Sequence, residues 1–455
     1  MIKELVNVSN ILTSKKEKAS EMNYQDTLHY LYNNVPMFQQ IGGIAYKEGL
    51  ANTCELDDHF SHSHTLYKTI HIGGTNGKGS CSHTLSAILQ KAGYKTGLYT
   101  SPHLMDFRER IRVNGQPIGE EYVVRFVEQH RAFFEHLHAS FFELTTAMAF
   151  RYFADSRVDV AVIEVGLGGR LDCTNIICPD VSVITNISFD HTQFLGGALE
   201  EIATEKAGII KQNTPVVIGE TVMETKPVFV RTAEKRDAPI IFAEEENLLL
   251  SAETDEENHR IIYHTDLYET FFGEMEGLYQ LKNTNTLLSV INQLKKKRYR
   301  ITSKNVHDGF AHVTKLTGFL GRWQRLSNQP ALVCDAGHNV AGITCIVNQL
   351  KKEKFNQLHF VIGMVNDKDI HGVLTLLPQN ALYYFTKAGI PRALPENELM
   401  RAAHSTGLKG DSYPNVITAV KAAQEKSHPN DFIFVGGSTF LVGDLLNHYV
   451  TSLSE

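Results

Sequence analysis

One stretch of this 455-residue chain restricts its fold more than any other: Ile70-His71-Ile72-Gly73-Gly74-Thr75-Asn76-Gly77-Lys78-Gly79-Ser80. The apolar run Tyr67 to Ile72 predicts a buried strand, and Ser82 to Ala92 predicts a helix beyond the glycine-rich turn. Strand, glycine loop and helix N-terminus make a phosphate cradle, because backbone N–H groups and the positive end of the helix dipole point at one anion. Lys78 can reach outer phosphates, and the Ser80 hydroxyl can sit on Mg²⁺. The match to the common P-loop pattern is incomplete. Ile72 stands in place of its first glycine, and Gly79 stands where Ser or Thr should directly follow the lysine. Taken alone, the stretch favours nucleotide binding over a glycine-rich turn beside a surface lysine.

The length suffices for two to three domains with well-buried cores. Apolar residues make up 42% and charged residues 21%, an ordinary balance for a soluble protein. The formal net charge of −7, with no long basic run, argues against nucleic acid as the main partner. Cys54, Cys81, Cys173, Cys178, Cys334 and Cys345 form no Cys-x-x-Cys pair and suggest no disulfide framework, so a reducing cytoplasm is the expected setting. No apolar run approaches the roughly 18 residues that span a bilayer. Lys15, Lys16 and Lys18 have no apolar segment behind them, which excludes a signal peptide reading.

Along the chain, Tyr24 to Asn33 predicts the first helix, preceded by an extension over residues 1–21. Asn34 to His64, including Pro36 and Gly42-Gly43, predicts irregular structure. A strand at Lys95 to Thr100 runs into Ser101-Pro102-His103-Leu104 and Phe107-Arg108-Glu109-Arg110-Ile111, a charged loop placed to cover a substrate. Helices follow at Glu120 to Leu137 and Phe141 to Phe153. The continuous apolar run Val158 to Val165 then predicts a strand buried on both faces of a parallel sheet. Gly166-Leu167-Gly168-Gly169-Arg170-Leu171-Asp172 lacks the third glycine of a dinucleotide fingerprint, which argues against a nicotinamide reading. Ser303 to Leu316 predicts one helix with Ser303 as its N-cap. Beyond Thr317-Gly318-Phe319-Leu320-Gly321, strands and helices alternate again, which predicts a second, smaller α/β domain. The expected organisation is a P-loop-type domain over residues 22–316 with a mainly parallel sheet, a hinge at 317–321, and a Rossmann-like domain over 322–455.

Glu164 and His191 follow successive strand ends, where open α/β sheets place their ligands, and Lys206 lies on the next helix. With Ser80, a carboxylate and an imidazole are workable ligands for Mg²⁺ beside a nucleotide, although His is unusual for so hard a cation. A core histidine and a salt-bridged lysine are the plain alternatives.

Several separated motifs resemble the folylpolyglutamate synthase and dihydrofolate synthase family of Mur-ligase-like amide ligases. They are Gly74-Thr-Asn-Gly-Lys-Gly-Ser80, Thr100-Ser-Pro-His-Leu104 with Phe107-Arg-Glu-Arg-Ile111, Glu164-Val-Gly-Leu-Gly-Gly-Arg-Leu-Asp172, Asp190-His191, Glu205-Lys-Ala-Gly208, Gly321-Arg322, and Asp335 with His338-Asn339. One departure is Asp335-Ala-Gly-His-Asn-Val340, where the family typically has Asp-Gly-Ala-His-Asn-Pro. The resemblance implies an ATP-dependent ligase that joins L-glutamate to a pteroyl carboxylate, dihydropteroate or folates or both, through an acyl phosphate. It implies that Lys78 and the amides of Gly74, Thr75, Asn76, Gly77 and Gly79 hold the phosphates. Ser80 and Glu164 would hold one Mg²⁺, and His191, with Glu164 and a carbamylated Lys206, a second. Asn283, Arg322, Asp335 and His338 would bind ATP; Ser101, Pro102, His103, Arg110 and Asp172 the acceptor; and Ser438 the incoming glutamate. A cytoplasmic monomer without membrane or nucleic-acid partners is expected. Other readings are a different Mur-type amino-acid ligase and a non-catalytic ATP-binding protein.

Overall fold

The computed structural model describes residues 22–35 and 49–452. The expectations for residues 1–21, Pro36 and Gly42-Gly43 lie outside them. Strands β1 (Lys68–Gly73), β2 (Thr96–Tyr99), β3 (Ile111–Val113), β4 (Gln116–Pro117), β5 (Val160–Glu164), β6 (Val181–Ile184), β7 (Val216–Ile218) and β8 (Ile240–Phe242) form one sheet in the order β4-β3-β2-β5-β1-β6-β7-β8. From β2 to β8 the pairs are parallel, and β3 and β4 add an antiparallel edge.

Alternate residues of a strand face opposite sides, and both sides here are apolar. Ile70, Ile72, Val160 and Val162 pack with helices Lys78–Lys91, Gln280–Lys296 and Ser303–Phe310. Ala161 and Ile163 pack on the other side with helices Tyr24–Asn33, Ala51–His59, Glu120–Leu137 and Phe141–Asp155. A meander of β9 (Leu249–Asp255), β10 (Arg260–Thr265) and β11 (Thr270–Gly273) adds Tyr263 and Phe271 to the first of these cores.

The second domain has β12 (Gln324–Asn328), β13 (Ala331–Asp335), β14 (Leu358–Ile362), β15 (Leu382–Phe385), β16 (Gly410–Ser412) and β17 (Phe432–Gly436), ordered β12-β13-β17-β14-β15-β16. All its pairs are parallel except β12 with β13. Among the described residues, no helix is long and apolar enough to cross a membrane.

Several expectations are corrected. The first helix of the cradle begins at Lys78, not Ser82, so the glycine turn is shorter than its composition suggests. Between Asn34 and His64 there is a helix, Ala51–His59, whose sequence buries only Thr53 and Leu56 and so shows little periodicity. The loop after Pro102 contains the short helical turn Phe107–Arg110 and the β3–β4 hairpin. The helix expected over Ser303 to Leu316 is two, Ser303–Phe310 and Val313–Thr317. Its cap is Thr302, whose hydroxyl accepts from Asn305 N at 3.2 Å while Asn305 Oδ1 accepts from Thr302 N at 2.9 Å. The short strands β12 and β16, polar and at the sheet edges, gave no signal.

Candidate active site

The register of β1 on β5 pairs Ile72 with Glu164, so the phosphate loop and that carboxylate leave the sheet side by side. Gly77 caps the helix with φ 83°, and no side chain caps its first turn. The first N–H groups therefore remain available to an anion. Gly74 has φ 134°, and a Cβ there would lie 1.9 Å from Thr185 Oγ1. A Cβ on Gly77 would lie 2.3 Å from Asn283 Oδ1. Both turns thus exclude any other residue. Asn186 pins the loop from β6, with its carbonyl accepting from Thr75 N at 2.9 Å and its Oδ1 from Asn76 N at 3.0 Å. Lys78 Nζ donates to Gly74 O at 3.0 Å and Thr75 O at 3.1 Å, and Lys206 Nζ donates to Gly74 O at 2.9 Å. Two ammonium groups thus meet at one carbonyl. Lys206 is buried, and burial followed by the charge of Lys78 lowers its pKa to about 7.

Glu164 is 3% exposed, and Ser101 N donates to its Oε2 at 3.1 Å. Burial raises its pKa to about 7, against the pull of Lys78, the Ser101 N–H, Arg322 and Arg110. Such a carboxylate lacks a full counter-charge. His191 has φ 50° and precedes the short helix Thr192–Leu195. Burial lowers its pKa to about 3; Asp190 opposes this, while Lys368, His338 and Lys78 add to it. The imidazole is therefore neutral and able to act as a ligand. Ser80 Oγ accepts from Gln280 Nε2 at 3.3 Å. Hydroxyl, carboxylate and neutral imidazole fit a divalent cation. Among the described residues no three His, Cys, Asp or Glu side chains are grouped to hold a metal by themselves. A cation here would complete its shell with phosphate oxygens and water, the usual habit of Mg²⁺.

The two domains enclose a cleft of about 260 Å³. Its first-domain wall carries Gly74, Thr75, Lys78, Ser101, Pro102, Arg110, Asp172, His191 and Lys206. Its second-domain wall carries His338, Lys368, Arg392 and Ser438. Asp190 ties the walls together. Lys368 Nζ donates to its Oδ1 at 2.5 Å, Asn339 Nδ2 to its Oδ2 at 3.1 Å, and His338 Nε2 lies 3.5 Å away. Burial pushes the Asp190 carboxyl up, but the His338 hydrogen bond and the charge of Lys368 prevail and hold it far below the usual carboxylate range. Asn339 Nδ2 also donates to Asn76 Oδ1 at 3.0 Å, joining the second domain to the phosphate loop.

Most of the other expected site residues stand outside this cleft. Asp335 accepts from Trp323 N at 2.7 Å, Gly337 N at 2.7 Å and Tyr279 OH at 2.6 Å, which braces the turn after β13. Asn283 donates to Gln280 Oε1 at 2.9 Å. Gly79 and Arg322 line a smaller cavity of about 60 Å³ with Glu164. His103 sits behind the wall: its Nδ1 accepts from Arg110 Nε at 2.8 Å, and its ring stacks on Tyr32. Burial, then the Arg110 charge, lowers the His103 pKa to about 3, so it orients Arg110 as a neutral acceptor. Asp172 faces the cleft, yet its carboxylate accepts from Leu167 N at 2.8 Å and from the backbone and hydroxyl of Thr174. Lys368 and Arg392 were not picked out from the sequence. The available signal was the charged run Asp367-Lys368-Asp369 soon after a strand end. Phe141 and Phe142, also on the wall, read only as apolar positions of a helix.

Residues 72–284 match the Mur ligase middle domain, and residues 321–439 match the Mur ligase glutamate ligase domain. A dihydrofolate synthase/folylpolyglutamate synthase of Escherichia coli (strain K12) is 32% identical over 82% of this chain and 85% of its own length. The solved structure of E. coli FolC in complex with DHPP and ADP superposes with a TM-score of 0.79 at 28% identity, covering 95% of this chain and 98% of that one. A bifunctional folylpolyglutamate synthase/dihydrofolate synthase with Mn, AMPPNP and L-glutamate bound gives 0.80 at 27% identity, covering 94% and 98%. The chain belongs to the folylpolyglutamate synthase/dihydrofolate synthase family of Mur-type ligases.

Proposed function

We propose that this protein is an ATP-dependent ligase joining L-glutamate to dihydropteroate, to folates, or to both. The observation that carries the reading is the convergence of the phosphate loop, His191 and Lys206 with Lys368 and Ser438 on one interdomain cleft, with Glu164 in the adjoining smaller cavity that shares Ser101 and Pro102 with it. A carboxylate is inert to amines at neutral pH. Its oxygen therefore attacks the γ-phosphorus of ATP, ADP leaves, and an acyl phosphate results. The glutamate amine then adds to the carbonyl carbon, phosphate departs with the C–O bond electrons, the amine loses a proton, and an amide remains. Phosphoryl transfer of this kind depends on positioning and charge neutralisation.

The loop amides from Gly74 to Ser80 and the Lys78 ammonium would hold the β- and γ-phosphates. Mg²⁺, when bound by Ser80 and Glu164, supplies charge neutralisation at those phosphates. Asn283, Arg322, Asp335 and His338 are assigned to the nucleotide side by family resemblance; Asp335 also braces the turn after β13, and Asn283 bonds the Gln280 side chain. Pro102, Arg110 and Asp172 form the acceptor wall, with Ser101 fixing Glu164 and His103 orienting Arg110. Ser438 is assigned to the glutamate side.

A second metal site is assigned to His191 and Lys206, the latter as its carbamate. The reaction of the neutral amine with CO₂ releases one proton and replaces a cation by an anion. Desolvation of Lys206 and the nearby Lys78 favour the neutral amine it requires. A cytoplasmic, monomeric enzyme completes the reading. The direct test is a coupled assay of ADP formation with Mg²⁺·ATP, L-glutamate and either dihydropteroate or a reduced folate. ADP release that needs both the pteroyl acid and glutamate supports it; release stimulated only by another acid overturns it.

A further inference from the structure

The chain crosses between the domains from helix Val313–Thr317 to β12, and this crossing is packed onto the phosphate-loop helix. Phe319 is the contact. Its ring stacks on His83, with centroids 4.3 Å apart and planes 25° from parallel. Its Cε2 lies 3.6 Å from where a Cβ of Gly79 would stand. The Arg322 guanidinium lies over the same ring, 5.6 Å from its centroid.

His83 follows Ser80 by one turn and so shares its face of the helix. Its Nδ1 is 2.8 Å from Thr317 Oγ1. Thr317 donates its own hydroxyl proton to Val313 O at 2.7 Å, so the shared proton belongs to His83 Nδ1. Burial, then Arg112 and Arg322, keeps this imidazole neutral. The crossing is fixed at its start as well. Gly318 has φ 67°, and a Cβ there would come 2.9 Å from Arg112 Nη1. Gly79, which breaks the common P-loop pattern, is the residue against which Phe319 rests.

We infer that His83 and Phe319 are positioning residues: a column from the first turn of the phosphate-loop helix through Phe319 to Arg322 sets the angle between the domains and aims Arg322 when nucleotide occupies the loop. Neither ring touches reacting atoms; they act through the crossing and through Arg322. The kinetic arm of the test rests on the ligase reading above, whereas the scattering arm does not.

The test compares Phe319→Leu with Phe319→Tyr, measuring ADP affinity by calorimetry, turnover with acceptor and glutamate, and the radius of gyration with Mg²⁺·AMPPNP by X-ray scattering. Phe319→Leu is expected to keep ADP affinity within about twofold, to lose about tenfold to a hundredfold in kcat, and to remain more expanded than wild type with nucleotide. Phe319→Tyr, which keeps the ring, is expected to match wild type in all three. Wild-type kcat and scattering in Phe319→Leu overturn the column, and so does a Phe319→Tyr variant as impaired as Phe319→Leu. If Phe319→Leu does not fold, His83→Asn carries the same comparison, because it keeps a donor for Thr317 and removes the stacked ring. A wild-type protein with no acceptor-dependent turnover would overturn the ligase reading, and the scattering comparison would still decide the column.

Discussion

Lys206 concentrates the chemistry at the residue scale. Between about pH 7 and its unfolded value of 10.5 the unfolded chain holds a proton that the folded protein has lost, so the stability cost of burying this group is relieved as pH rises through that window. The carbamate reading predicts that Lys206→Ala loses most activity and regains part of it with acetate, while alanine variants without a missing anion do not respond. No rescue, together with a plain amine in a nucleotide-bound crystal grown with bicarbonate, would contradict it. Lys78→Ala is expected to fold normally, since it bonds only carbonyls of its own loop, and to lose about 10²–10³-fold in kcat. Near-wild-type turnover at saturating ATP would contradict the cradle. Asp172 has a double duty that its place in a glycine-rich motif did not disclose. Its carboxylate caps the turn at Cys173–Ile176 while facing the cleft. Asp172→Ala is expected to lower stability by about 1–3 kcal/mol, from the N–H groups it leaves unpaired, and to raise the KM for dihydropteroate more than that for ATP. Equal rises in both KM values would assign it to the turn alone.

At the scale of elements, legibility follows burial pattern. The helix Glu120–Leu137 was read to its ends because its buried positions Val123, Phe126, Val127 and Phe134 recur at helical spacing. The buried strands β1 and β5 are equally plain, as mostly apolar runs buried on both faces of the sheet. Elements held by few apolar contacts were not. Ala51–His59 depends on tertiary packing, and β12 is a half-exposed edge strand paired with its chain neighbour β13, so neither carries an apolar pattern of its own. Strand, glycine turn and helix follow one another as the sequence predicts, but the helix starts earlier, at Lys78. Lys78-Gly79-Ser80 resembles a loop by composition, and only Gly77 in the left-handed region shows where the helix starts. Gly74→Ala tests the element: its methyl would collide with Thr185 Oγ1 and N. It is expected to abolish ADP binding by calorimetry and to lower the melting temperature, whereas unchanged ADP affinity would show that the loop can rearrange.

For the whole molecule, the sequence disclosed two α/β domains and several residues of each wall, but not what joins them. Lys368 and Asp190 lie 178 residues apart, and their pairing is invisible without the fold. Both side chains are buried, at 8% and 10% exposure. Lys368→Ala leaves a buried anion without its lysine partner, so a loss of about 3–5 kcal/mol is expected in denaturant unfolding; a change near zero would mean that desolvation of the pair cancels its attraction. The central claim is that the cleft between these domains activates a pteroyl carboxylate for attack by glutamate. The most direct measurement follows ¹⁸O from a labelled acceptor carboxylate of dihydropteroate or a reduced folate during turnover with Mg²⁺·ATP and L-glutamate. The account predicts one labelled oxygen in the released phosphate for each amide formed. Amide formation with unlabelled phosphate, or no amide from either acceptor, would contradict it.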